Sequence, residues 1–133
     1  MKDIPLSHQD LLKDETKAFL YLATTFADGS PQVTPIWFNT DGTYILINSV
    51  NGRLKDRNMR ARPRVALCIA DPANPYRYLQ IRGRIVEFTV EGAEDHIDVL
   101  NLKYRGDPHY AKHSPQRPRV IYKVQAEKVD AHG

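Results

Sequence analysis

The stretch YRYLQIRGRIVEFTV (residues 76–90) is long and strongly alternating, apolar against polar. A period of two places successive side chains on opposite faces, which specifies a β-strand with one face toward a core. Gly83, in its middle, marks a bend. Shorter runs of the same kind surround it, each bounded by turn residues. AFLYLATTF (18–26) is too short for a typical helix and ends at Asp28-Gly29, so it reads as a strand entering a hairpin turn. In PQVTPIWF (31–38), Gln32, Thr34, Ile36 and Phe38 face one way and Val33, Pro35 and Trp37 the other. Pro35 donates no hydrogen bond, which assigns this strand to a sheet edge or to a bulge. Asp41-Gly42 is the next turn, followed by TYILINS (43–49), RVALCIA (64–70), the DPANP turn cluster (71–75) and RVIYKVQAEKV (119–129).

Helical segments decorate these strands. Ser7 and Asp10 have the spacing of a capping box and open a short helix to about Asp14. RLKDRNMRA follows Gly52, and the residue before Pro63 is pushed out of helical geometry, so that helix ends at Arg62. Ala93, Ile97, Leu100 and Tyr104 form a helical stripe over 91–104, and 105–117, with two prolines and a glycine, is a loop. Six strands, mostly joined by hairpins, predict an antiparallel barrel or sheet, all-β with short helices, in one domain.

A chain of 133 residues is long enough for one core, and 41% hydrophobic with 26% charged residues excludes disordered and collagen-like classes. No apolar run approaches the roughly 18–20 residues that span a bilayer. The N-terminal stretch has no apolar signal core, and one cysteine, Cys68, cannot form an internal disulfide; both suit a cytoplasmic protein.

Charge is where the composition becomes informative. Arg53, Lys55, Arg57, Arg60, Arg62 and Arg64, with Asp56 as the one acid, give a local charge of +5 in a chain of net +3, leaving −2 for the rest. Cations at this density repel unless water or an anion screens them. A helix that starts after a glycine offers free N–H groups and partial positive charge, and Arg53 and Lys55 in its first turn can reach the same anion, a phosphate above all. Arg57 lies one turn beyond Arg53 on the same face. A solvated helix carries such runs too; the excess of arginine and the glycine favour a site. The pattern is neither a Walker loop nor a dinucleotide fingerprint. A basic segment can also meet a nucleic-acid backbone, but no aromatics are interleaved for base stacking, so that reading is the minor one.

PQVTPIWF, INSVNGRLKDRNMRARPRVAL and DPANPYRYLQIRGRIVE, in this order and spacing, resemble the pyridoxamine 5′-phosphate oxidase-like split β-barrel proteins, and more narrowly the oxidoreductase branch that depends on the deazaflavin coenzyme F420. The resemblance runs from about Leu6 to Val129. It implies a six-stranded split barrel, a homodimer with cofactor sites at its interface, and F420 or, alternatively, FMN as cofactor for a small-molecule substrate. It places Gln32, Val33, Thr34, Pro35, Ile36 and Trp37 beside the tricyclic ring and Asn48 and Ser49 beside the ribityl chain and phosphate. Arg53 and Lys55, with Leu54 between them and Arg57 beyond, hold the phosphate. Tyr78 reaches the cofactor from the second subunit, with Arg77 and Gln80 near it. Arg60, Arg62 and Arg64 are left to solvent or to the acidic tail of the deazaflavin. A carrier that binds the cofactor without turnover is the non-enzymatic alternative.

No side-chain set elsewhere suggests a catalytic group, as expected where the cofactor carries the chemistry. Pyridoxamine phosphate oxidation itself is not expected, since the chain ends at EKVDAHG with His132 in a frayed tail. His109 and His113 have a metal-ligand spacing but sit in a loop with an incomplete ligand set, so no metal is assigned. His8 and His96 are expected on solvated helix surfaces, Asp95 and Asp98 as exposed charges, and Cys68 as a buried inert thiol.

Overall fold

The computed structural model describes residues 3–133. The alternating run becomes β6 (Asn74–Thr89), in which Leu79, Ile81 and Ile85 are buried while Gln80, Arg82 and Arg84 face out. The other strands are β1 (Leu20–Thr25), β2 (Pro31–Ile36), β3 (Phe38–Thr40), β4 (Ile45–Val50), β5 (Arg64–Asp71) and β7 (Arg119–His132). Two helices, α1 (Leu54–Ala61) and α2 (Ala93–Arg105), and two 3-10 segments, Leu6–Leu12 and Asp14–Thr16, complete the chain. All neighbouring strands pair antiparallel, in the order β2-β1-β5-β6-β7-β4-β3.

The connection between β2 and β3 shows how this sheet is shaped. The two strands lie at opposite edges of a seven-stranded sheet, yet only Trp37 separates them in the chain. One residue spans less than about 4 Å of chain, so the two edges meet and the sheet is rolled into a half-barrel. Ile36 and Phe38 from the two edge strands, with Ile45 and Ile47 from β4, accordingly share one buried cluster with Leu79 and Ile81 from the middle. The expected six strands are therefore seven: the 31–38 run is divided at Trp37, where the chain passes from one edge to the other. Pro35 on β2 lies on an edge strand, as its missing donor requires. The bend at Gly83 is a register shift against β7, and a Cβ there would lie 2.2 Å from the Gln125 carbonyl oxygen, so close approach of the two backbones excludes any side chain.

Other expectations give way to tertiary contacts. The Ser7–Asp10 capping box does not form: Pro5 precedes a 3-10 segment with no side-chain cap, and Asp10 instead pairs with Arg77, which also binds Asp71 at 3.0 Å. Arg77 thus ties the N-terminal segment to the β5–β6 turn. His8 is buried, its Nε2 within 2.8 Å of the His132 carbonyl oxygen, and His132 belongs to β7 with its ring stacked on Tyr78, so the expected frayed tail is ordered strand. His96 is buried as well, and Asp98 is half-buried, each held by the partners described below. Cys68 is half-buried, and burial pushes its thiol pKa up. Among the described residues no helix is long and apolar enough to cross a membrane.

Candidate functional site

Gly52, at φ +90°, makes the left-handed turn that ends β4 and starts α1. Its N–H donates to Asp56 Oδ2 at 2.9 Å, so the third residue of the helix reaches back over the first turn. Asp56 is almost fully buried, and its Oδ1 also accepts from Arg60 Nε at 3.0 Å and from the Tyr122 hydroxyl. That carboxylate anchors α1 to β7. Burial, and the carboxylate beside it, push the Tyr122 pKa upward.

With the helix held this way, Arg53 and Lys55 line a cleft of about 290 Å³ together with Pro35, Ile36 and Trp37 from the β2–β3 crossing and Asn48 and Ser49 from β4. Ile97 and Arg105 of α2, Tyr110, Ala111 and Lys112 of the loop, and Arg119 of β7 complete the lining. Five of these residues are cations, and no aspartate or glutamate is among them. Lys55 donates to Thr34 Oγ1 at 3.3 Å; its pKa is lowered by burial and then by Arg53 and Arg119. The Arg119 pKa is lowered too, chiefly by burial, with Arg53 among the charges acting against it. Beside these cations lies Ser49 Oγ, the one buried side-chain polar atom among the described residues that has no hydrogen-bond partner. A buried hydroxyl without a partner costs on the order of 1–3 kcal/mol, a cost that a bound acceptor at this spot removes.

The other wall is aromatic. Trp37 stacks on Tyr104 with centroids 5.1 Å apart, Tyr104 on Phe19 at 5.4 Å, and Tyr110 meets Trp37 edge-on at 6.5 Å. The Tyr104 hydroxyl donates to the Ala18 carbonyl at 2.6 Å, and burial raises its pKa. The loop bearing Tyr110 is clamped: its N–H donates to Asp98 Oδ1 at 2.8 Å, and His113 bridges Glu94 at 2.8 Å and Asp98 at 2.7 Å. Those two carboxylates raise the His113 pKa. The cleft thus has a flat, partly apolar end and a cationic end with an unmatched donor. A planar ring system that carries a phosphate fits this donor set.

Of the residues singled out in the sequence, Pro35, Ile36, Trp37, Asn48, Ser49, Arg53 and Lys55 meet here, and Thr34 supports Lys55. Gln32, Val33, Leu54, Arg57 and Tyr78 are not part of the lining. Arg60 and Arg62 are held within the chain, Arg60 by Asp56 and Arg62 by the Thr25 carbonyl at 2.7 Å and Asn58 Oδ1 at 3.2 Å. Arg60 is thus paired while still exposed to solvent, and Arg62 is half-buried and tied down. Sequence reasoning missed Arg119, Arg105, Tyr110 and Lys112. It also missed His96, whose spacing from Ala93, Ile97 and Leu100 on the buried face of α2 was a usable signal.

Comparison with known proteins agrees with the fold. The family model described as pyridoxamine 5′-phosphate oxidase matches residues 8–133. Among solved structures, a protein named F420 reductase is 33% identical, with a TM-score of 0.84 over 96% of this chain and 98% of its own. The conserved hypothetical protein Rv2991 of Mycobacterium tuberculosis (20% identity, TM-score 0.74, 97% of this chain and 84% of its own) shares the fold. So does HupZ of Group A Streptococcus (16% identity, TM-score 0.69, 96% and 93%). None of the curated proteins matches the chain significantly.

Proposed function

The chain belongs to the pyridoxamine 5′-phosphate oxidase family, and we propose that it is an oxidoreductase whose cleft binds coenzyme F420 for hydride exchange with a small unsaturated substrate. The observation that carries this reading is the unpartnered Ser49 hydroxyl beside Arg53 and Lys55, in a cleft lined by five cations and no carboxylate. Arg53 presents a planar fork of donors and Lys55 a compact charge, so together they can hold a phosphate dianion. Asn48 and Ser49 would border the chain that leads from phosphate to ring, and Pro35, Ile36 and Trp37 the ring itself. When bound, the deazaflavin supplies a carbon that gives or accepts hydride. The protein's part is to hold the ring, keep water from it and present the substrate.

FMN is the second reading, since its phosphate satisfies the same anchor. Two observations favour F420: the 33% identical protein that bears its name, and Arg105 and Lys112, cleft cations on α2 and the following loop, which suit a ligand with more than one anionic group. A homodimer, in which Tyr78 of one copy serves the cleft of the other, belongs to the same proposal.

Side-by-side equilibrium binding of F420 and FMN to the protein and to an Arg53→Ala/Lys55→Ala variant tests it. Tight F420 binding that the variant loses is the expected result. Preference for FMN moves the protein to the flavin branch, and binding of neither removes the cofactor reading.

A further inference from the structure

Arg119 was not expected in the site, and its surroundings are unusual for a buried guanidinium. The side chain is only 9% exposed, and Nε donates to Asn48 Oδ1 at 2.6 Å, a neutral acceptor. Glu94 lies close but spends Oε2 on the Arg119 backbone N–H at 2.8 Å. The guanidinium carbon sits 5.1 Å from the Tyr110 ring centroid, and the residue lines the same cleft as Arg53 and Lys55. A buried cation is costly unless it is paired and hydrogen-bonded. Here Arg53 adds a like charge, the Tyr110 hydroxyl and the nearby Glu94 offset only part of the cost of burial, and the cleft supplies no carboxylate.

Behind Arg119 runs a chain of buried polar groups whose roles are forced. Asn48 Nδ2 donates to the Ala93 carbonyl at 2.9 Å, so the amide is oriented with Oδ1 toward Arg119. The same Nδ2 lies 3.1 Å from His96 Nδ1, which must then accept, leaving the ring proton on Nε2 to donate to Asn39 Oδ1 at 2.8 Å. His96 is thereby a neutral imidazole of one tautomer, consistent with a pKa lowered to about 4 by burial and then by Arg119. Apolar residues would fill this space without these polar costs. The arrangement is accounted for if the direction of the guanidinium matters.

We infer that Arg119 is a third cationic ligand of the anion held by Arg53 and Lys55, and that His96, acting through Asn48, is the residue that positions it. This rests on the phosphate-anchor reading of the cleft and holds for any ligand with a phosphate at that end. Three cations on one dianion also explain why the fold tolerates their mutual repulsion, since the ligand cancels it.

The test is calorimetric titration of the full-length protein with inorganic phosphate, F420 and FMN, with a thermal melt of each variant. Arg119→Gln keeps a donor for Asn48 but removes the charge; it should weaken phosphate and cofactor binding about 10- to 100-fold with an unchanged melting temperature. His96→Leu should weaken binding about tenfold, and His96→Gln, which restores one donor and one acceptor, should recover most of it. In an Arg119→Gln background His96→Leu should cost nothing more, because its effect passes through Arg119. Additive losses in the double variant, or Arg119→Gln binding within about twofold of wild type, sink the inference. Phosphate binding that needs Arg119 while neither cofactor binds leaves this inference standing and the cofactor reading fallen. F420 binding indifferent to Arg119 does the reverse, and a wild-type protein that binds none of the three overturns both.

Discussion

Arg53 and Lys55 at the start of α1, and Arg60 and Arg62 at its end, come from one run of basic residues but serve different purposes. The first pair lines the cleft, where burial and then the neighbouring cations depress the Lys55 pKa. The second pair is neutralised or tied down inside the chain: Arg60 by Asp56 and by the Phe88 ring 5.0 Å away, Arg62 by Thr25 and Asn58. Asp56 lies between the pairs and turns Oδ1 inward, toward Arg60 and Tyr122. The first pair thus faces the cleft without an acid beside it, as the proposed phosphate anchor requires, while the second is bonded within the fold. Local charge density measures only how many cations a segment has. Which of them remain available depends on where the acids and carbonyls of other elements fall.

The largest effect should come from removing the residue that separates the pairs. Asp56→Ala leaves the buried Tyr122 hydroxyl without its partner and removes the charged acceptor of the Gly52 N–H at the start of α1, and should cost about 4 kcal/mol in urea unfolding. An unchanged midpoint would mean that Asp56 does not anchor the helix.

Acid tests the cleft side next. The folded-state pKa of His96 is about 4 against 6.5 for the ordinary group, so between those values the unfolded chain binds more protons. Stability is therefore intact above pH 6.5 and falls as the pH drops toward 4, by up to about 3 kcal/mol from this group. Urea midpoints measured across that range should show the slope, and His96→Gln should flatten it.

Third in size, Arg53→Ala/Lys55→Ala should weaken cofactor binding about 100-fold, or about 2.7 kcal/mol, while the melting temperature stays level or rises as like-charge repulsion is relieved. A clear loss of melting temperature would show that the first pair is structural after all. Arg62→Ala should give the mirror image: about 1–2 kcal/mol of stability lost with binding unchanged. A variant of Arg62 that binds cofactor poorly would erase the distinction between the pairs.

Much of this architecture was legible in the chain because it is locally encoded. The strands follow from alternation and Asp-Gly turns, the start of α1 from Gly52 and its end from Pro63, and the edge position of β2 from Pro35. The break at Trp37 was not legible, because PQVTPIWF alternates straight through it; only closure of the sheet makes one residue pass between two edges. Asp10 had the spacing of a cap, but Arg77, distant in sequence, claims it. In the cleft, Arg53 and Lys55 were found from charge and a helix start. Arg119 carries no such signal, since an arginine at the beginning of an alternating strand usually faces water.

The sequence by itself determined which segments become strands and helices, and that one of them carries an excess of positive charge, because those properties depend on neighbours a few residues away. Tertiary structure alone decided which cations share a site. The pairing of β4 with β7 sets Val50 opposite Arg119 and Asn48 opposite Ile121, which brings Arg119 to Asn48, 71 residues away in the chain, beside the start of α1. Coulomb interactions and desolvation act through space, so the character of each cation was settled only when the sheet rolled up and set its neighbours.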